Sequence, residues 1–130
     1  METKKIILII DDDSFLLDMY ALKFNKSGFS VATALGPESA LDQLKSGLLP
    51  DIILLDIVMP VMDGFELMQK MKEEKLAESS VRIILSNRGQ PSDITRGQEM
   101  GAAGYIVKAS STPSEVIEQV NEIVNKVNKN

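Results

Sequence analysis

Five short apolar runs punctuate the chain, and each is followed by a segment whose apolar residues return at helical spacing. Lys5 to Ile10, Ile52 to Leu55 and Val81 to Leu85 are near-continuous, too short for helices and rich in β-branched residues, as strands buried on both faces of a parallel sheet are. Phe29 to Ala34 alternates weakly and predicts a second strand in chain order. Tyr105-Ile-Val, entered through Gly101 to Gly104, predicts the last.

The helical segments carry their own punctuation. Ser14 to Lys26 has apolar residues at 16, 17, 20, 21 and 24, with Gly28 closing it. Gly36-Pro37-Glu38 opens a second helix with proline at its first position, facing the core through Ala40, Leu41 and Leu44 and ending at Gly47. Asp63 caps a third helix from Gly64 to about Glu74, with Glu66 completing the cap and Phe65, Leu67, Met68 and Met71 as core filler. The fourth, from Pro91 to Met100, is poorly specified: Ser92, Thr95 and Gly97 lower its helicity, and only Ile94 and Met100 are strongly apolar. It is expected to be weakly anchored and easily displaced. Thr112-Pro113-Ser114-Glu115 forms a capping box for the fifth helix, in which Val116, Ile117, Val120, Ile123, Val124 and Val127 recur at helical spacing.

Five strand-helix pairs in alternation predict an α/β fold, a doubly wound five-stranded parallel sheet with helices on both faces and right-handed connections. Pattern alone leaves the strand order open. It does fix where the acids fall. Asp11-Asp12-Asp13 ends the first run and Asp56 ends the third, so both stand at the carboxyl edge, where open α/β sheets hold their ligands. A lone strand-end aspartate is usually a solvated acid, and Asp13 or Ser14 serves the following helix as a cap. The three consecutive acids repel one another at the end of a buried strand, a cost that a cation or solvent must offset, and for Asp11 and Asp12 a metal is the expected partner.

Composition narrows the chemistry. The 130 residues suit one domain, 1–130, with no visible linker to another. No apolar run approaches the roughly 18 to 20 residues of a membrane span, and the start is too short for a signal peptide, so a cytoplasmic location is expected. Cysteine is absent, which removes disulfides and thiolate metal sites. Histidine is absent too, so any phosphohistidine must come from another molecule. A net charge of −5 without a basic cluster argues against nucleic-acid binding and leaves hard cations as partners.

The segment Asp56-Ile-Val-Met-Pro-Val-Met-Asp-Gly64 resembles the phosphoacceptor segment of bacterial two-component response regulator receiver domains, D-x-x-M-P-x-M-D-G, and the likeness extends over nearly all of the chain. The resemblance implies a flavodoxin-like strand order 2-1-3-4-5, which brings Asp11, Asp12 and Asp56 into one crevice. It implies that Asp56 is the phosphoacceptor, that Asp11, Asp12, Asp56 and the carbonyl of Val58 hold Mg²⁺, and that Lys108 and Ser86 meet the phosphoryl group. Tyr105, three positions before the lysine, becomes the aromatic switch residue coupled to Ser86. Val58, Asn87 and Arg88 border the entrance. The implied partners are a histidine kinase or histidine phosphotransfer protein, an unidentified downstream protein, and a second copy meeting on the face of the fourth helix, fifth strand and fifth helix.

Two departures from the family pattern stand out. Ala109 follows Lys108 where the family has a proline with a cis bond; a cis bond before alanine costs about 3 to 4 kcal/mol, so Lys108-Ala109 is expected to be trans. Asn87 stands where a small residue is usual. Two other readings follow: a degenerate receiver that binds partners without phosphorylation, and an aspartyl-phosphate hydrolase. The hydrolase needs a second acid two residues after the nucleophile, and position 58 is valine.

Overall fold

The computed structural model describes residues 4–128. Strands β1 (Ile6–Asp11), β2 (Ser30–Leu35), β3 (Ile52–Leu55), β4 (Val81–Ser86) and β5 (Gly104–Val107) alternate with helices α1 (Ser14–Lys26), α2 (Pro37–Lys45), α3 (Gly64–Glu73), α4 (Pro91–Glu99) and α5 (Pro113–Asn128). The sheet is parallel throughout, in the order β2-β1-β3-β4-β5. β1 is therefore flanked by β2 and β3, and the chain reverses its direction of winding beside it, opening a crevice at the carboxyl edge.

Side chains alternate across the strands and build one core on each face. Leu8, Ile10, Ile53, Leu55 and Ile84 point to the side covered by α2 and α3, where Met68 and Met71 fill the packing as expected. Ile7, Ile9, Ile52, Leu54, Ile83 and Leu85 point to the side covered by α1 and α5. Among the described residues no helix is long and apolar enough to cross a membrane.

The structure corrects one boundary and refines the reading of two helices. β2 starts at Ser30 rather than Phe29. Gly28 adopts φ 96°, and the Phe29 and Gly28 amides donate to the Phe24 and Asn25 carbonyls, a complete Schellman ending for α1. Phe29 is thereby turned inward and meets Phe24 edge-on, with ring centroids 5.2 Å apart. Val127 is not on the packed stripe of α5; Val116, Val120 and Val124 are buried, and Val127 is 41% exposed. In α4 the buried residues are Asp93 and Gly97, whereas Ile94 and Met100 are only half-buried. A Cβ on Gly97 would lie 2.8 Å from Ile84 Cδ1 and 3.6 Å from a Tyr105 ring carbon, so this glycine lets α4 approach the sheet closely. Arg96 lies 4.4 Å over the Phe65 ring, joining α4 to α3. α4 is held by charge and close approach rather than by an apolar stripe.

Candidate functional site

Three parallel strands deliver the site. β1 ends on Asp11, β3 is followed directly by Asp56, and β5 is followed by Lys108 in a short 3₁₀ turn, Lys108–Ser110. The Asp56 amide donates to the Ile10 carbonyl at 3.1 Å, which sets the two aspartates side by side. Lys108 Nζ reaches both, at 2.6 Å from Asp11 Oδ2 and 2.9 Å from Asp56 Oδ2. The second oxygen of each carboxylate is occupied locally: Asp13 N–H donates to Asp11 Oδ1 at 3.0 Å, and Val58 N–H to Asp56 Oδ1 at 2.9 Å. Asp12 is exposed, and one carboxylate oxygen each from Asp11, Asp12 and Asp56 lies within 4.8 Å of the others. Asp13 is taken by α1, accepting from the Phe15 and Leu16 amides, which divides the acidic run as expected.

Burial and the opposed charges together set the ionisation of Asp11 and Lys108. Burial pushes the Asp11 carboxyl above its ordinary value, against the pull of Lys108 and the Asp13 amide, and the charge of Asp56 adds to the push. Burial works to lower the Lys108 ammonium, but its hydrogen bonds to Asp11 and Asp56 and their charges outweigh it and leave it above its ordinary value.

The crevice is lined by Asp11, Asp12, Asp13, Leu16, Asp56, Val58, Ser86, Asn87 and Lys108. Ser86 is fully buried, its Oγ accepting from the Arg88 amide at 3.2 Å. Arg88 does not line the crevice; its guanidinium turns away to Asp93, with Nη2 2.8 Å from Oδ1. The Tyr105 hydroxyl donates to the Arg88 carbonyl, so Ser86 and Tyr105 meet on one residue's backbone. No cis peptide bond occurs among the described residues, and Lys108-Ala109 is trans as expected.

Sequence reasoning missed two contributors. Leu16 lines the rim because the first turn of α1 stands beside it, although its spacing marks a core position. Gly64 does more than open α3. A Cβ there would lie 2.5 Å from the Asp56 carbonyl oxygen and 2.7 Å from Ile57 Cα, so only glycine lets α3 start against the backbone that carries Asp56. The signal for it was the Asp63-Gly64 pair itself.

Comparison with known proteins points to one family. The family model described as "Response regulator receiver domain" matches residues 7–121. The phosphate regulon transcriptional regulatory protein PhoB of Escherichia coli (strain K12) is 30% identical over 121 residues, 93% of this chain and 52% of that protein. The probable transcriptional regulator ycf27 of Guillardia theta is 33% identical over 130 residues, 99% of this chain and 49% of that protein. The chain thus spans about half the length of these curated relatives. Among solved structures, a CheY-like response regulator receiver domain protein from Methanospirillum hungatei JF-1 superposes with a TM-score of 0.85 at 25% identity, covering 98% of each chain. The chemotaxis response regulator CheY4 of Vibrio cholerae gives 0.83 at 25% identity, covering 93% of this chain and 99% of that one. This chain belongs to the receiver domain family of two-component response regulators.

Proposed function

We propose that residues 1–130 form one receiver domain that is switched by phosphorylation of Asp56, the phosphoryl group coming from a histidine kinase or a histidine phosphotransfer protein. The observation that carries this reading is the convergence of Asp11, Asp12, Asp56 and Lys108 at one rim. With no histidine in the chain, the donor imidazole belongs to another molecule.

The donor set fits a hard divalent ion: three carboxylates, two of them buried, and no soft ligand. Asp11, Asp12, Asp56 and the carbonyl of Val58 would hold one Mg²⁺, which when bound supplies positive charge to the phosphoryl oxygens. An Asp56 carboxylate oxygen forms the bond to phosphorus as the phosphorus–nitrogen bond of the donor breaks; the imidazole leaves with the electron pair and takes up a proton from solvent. Lys108 turns its ammonium from Asp11 toward the phosphoryl oxygens, and Ser86 donates its hydroxyl proton to one of them. Tyr105 follows Ser86, and the face of α4, β5 and α5 changes what it binds, whether a downstream protein or a second copy. The chain acts on its own aspartate rather than turning over an external metabolite. A cytoplasmic location goes with this reading.

Intact mass after incubation with acetyl phosphate and Mg²⁺ tests it. The wild type gains one phosphoryl group and Asp56→Asn gains none. If the wild type gains none either, the reading is wrong, and a module that binds partners unphosphorylated takes its place.

A further inference from the structure

We infer that the Arg88–Asp93 ion pair is a clamp that positions Tyr105 before any phosphoryl group arrives. One residue is shared by three parts of the molecule. The Arg88 amide donates to Ser86 Oγ at 3.2 Å, its carbonyl accepts from the Tyr105 hydroxyl, and its guanidinium binds Asp93 Oδ1 at 2.8 Å. Asp93 is 8% exposed and belongs to the first turn of α4, where its other oxygen accepts from the Gln90 amide at 3.3 Å. The Tyr105 ring lies against Gly97 of the same helix.

The geometry makes the loop between β4 and α4 a rigid strut. The loop of Asn87, Arg88, Gly89 and Gln90 buries little of itself, since Asn87, Arg88 and Gln90 are exposed and only Gly89 is half-buried, against Val107. With the guanidinium fixed on Asp93, the Arg88 backbone is fixed too, and the carbonyl that receives Tyr105 stays in place. The ring is then held half-buried between Arg88 and Gly97. Arg88 and Asp93 are positioning residues, acting through the loop and not on the phosphoryl group. Their role for the switch rests on the reading of Ser86 and Tyr105 given above; the clamp itself is present without it. Its expected consequence is a switch whose aromatic residue already favours the inward position, so that phosphorylation tightens an existing arrangement.

The chain's composition offers a direct probe. It has two tyrosines and no tryptophan, and Tyr20 is 4% exposed. In a Tyr20→Phe background all intrinsic emission comes from Tyr105, and acrylamide quenching reports its exposure. Without Mg²⁺ or phosphodonor, Arg88→Ala and Asp93→Asn are each expected to raise the quenching constant about twofold or more. Arg88→Lys, which keeps a cation within reach of Asp93, is expected to stay near the parent. Salt of about 1 M should raise quenching in the parent and not in Asp93→Asn, because the guanidinium is half-exposed and screened. Unchanged quenching in both Arg88→Ala and Asp93→Asn overturns the inference. So does a rise in Asp93→Asn alone, which would assign the effect to the α4 cap, or a rise in Arg88→Lys equal to that in Arg88→Ala. Phosphoryl uptake by the same variants, read by intact mass, fails or succeeds independently of this result.

Discussion

Helices α5 and α4 flank the same strand, β5, and are held to the sheet by different forces. α5 sets Val116, Val120 and Val124 into the core shared with α1, burying apolar area that no change of charge can release. α4 buries an aspartate and a glycine, pairs the one with Arg88 and slides the other against Ile84, and lays Arg96 over Phe65. Apolar burial does not depend on the charge state of a neighbour. Ion pairs do, so in the proposed switch the part of the molecule fastened by charge is the part that a phosphoryl group at the charged rim would move.

The largest expected effect lies on the apolar side. Phe24 is fully buried and meets Phe29 edge-on, so Phe24→Ala should lower global stability by about 4 kcal/mol in urea unfolding. Ile94→Ala on half-buried α4 should cost less than about 1 kcal/mol. Equal losses would erase the distinction between the two sides. Next comes the rim. Lys108→Ala strips the cation from two carboxylates whose side chains are 5% and 9% exposed. The loss should be about 2 kcal/mol near neutral pH, below the value for a dry pair because the crevice is open to water, and Mg²⁺ should recover much of it. Because Lys108 is held above its ordinary value of 10.5, its contribution is complete below that pH and disappears as pH rises through the folded value. The gap between wild type and variant should therefore close only in strong alkali.

Gly97→Ala sharpens the comparison on α4 itself. In an exposed helix the change would stabilise by about 1 kcal/mol. Here the new methyl meets the terminal Cδ1 of fully buried Ile84 at 2.8 Å, so that side chain must shift, at a cost of about 1 to 3 kcal/mol. The expected sum is a loss of about 1 kcal/mol in urea unfolding. A gain would mean that α4 stands off the sheet and that the glycine has no packing role.

What the sequence discloses follows the same division. Burial leaves a period, so every strand, the faces of α1, α2, α3 and α5 apart from Leu16 at the rim and Val127 near the end, and the strand-end positions of Asp11 and Asp56 can be read from spacing. Charge and close approach leave none. The Arg88–Asp93 pair spans five residues in a segment that looks like loop and weak helix, and Gly97 looks like a defect until the distance to Ile84 is known. Val61 is hidden for a related reason. It holds φ 70° and is 99% exposed, a conformation β-branched residues avoid, so no residue preference points to it. Lys108 became legible only through family resemblance, because a single lysine at a strand end has no pattern of its own.

The smallest effect is the most discriminating, because acid attacks both helices at the same place. α4 and α5 each begin with a carboxylate bonded to a backbone amide: Asp93 to Gln90, and Glu115 to Thr112 at 2.9 Å. The hydrogen bond from Arg88 holds the Asp93 carboxyl below its ordinary value of 3.8, and the Thr112 amide holds Glu115 below 4.5. Each contribution is present above the ordinary value and is lost as pH falls through the lowered one. On α5 that loss frays the first turn, and the three buried valines keep the rest in place. On α4 the same protonation also removes the ion pair to Arg88, and what remains is Gly97 against Ile84 and Arg96 over Phe65, with no buried apolar side chain on the helix. Amide protection, taken relative to the intrinsic exchange rate and followed as pH falls below 3.8, should therefore drop along the whole of α4 but only at residues 114–116 of α5. Asp93→Asn should give α4 its acid-state exchange rates, scaled for intrinsic chemistry, already at neutral pH. If the two helices lose protection together, or if α4 in Asp93→Asn still answers to acid, charge is not what fastens it.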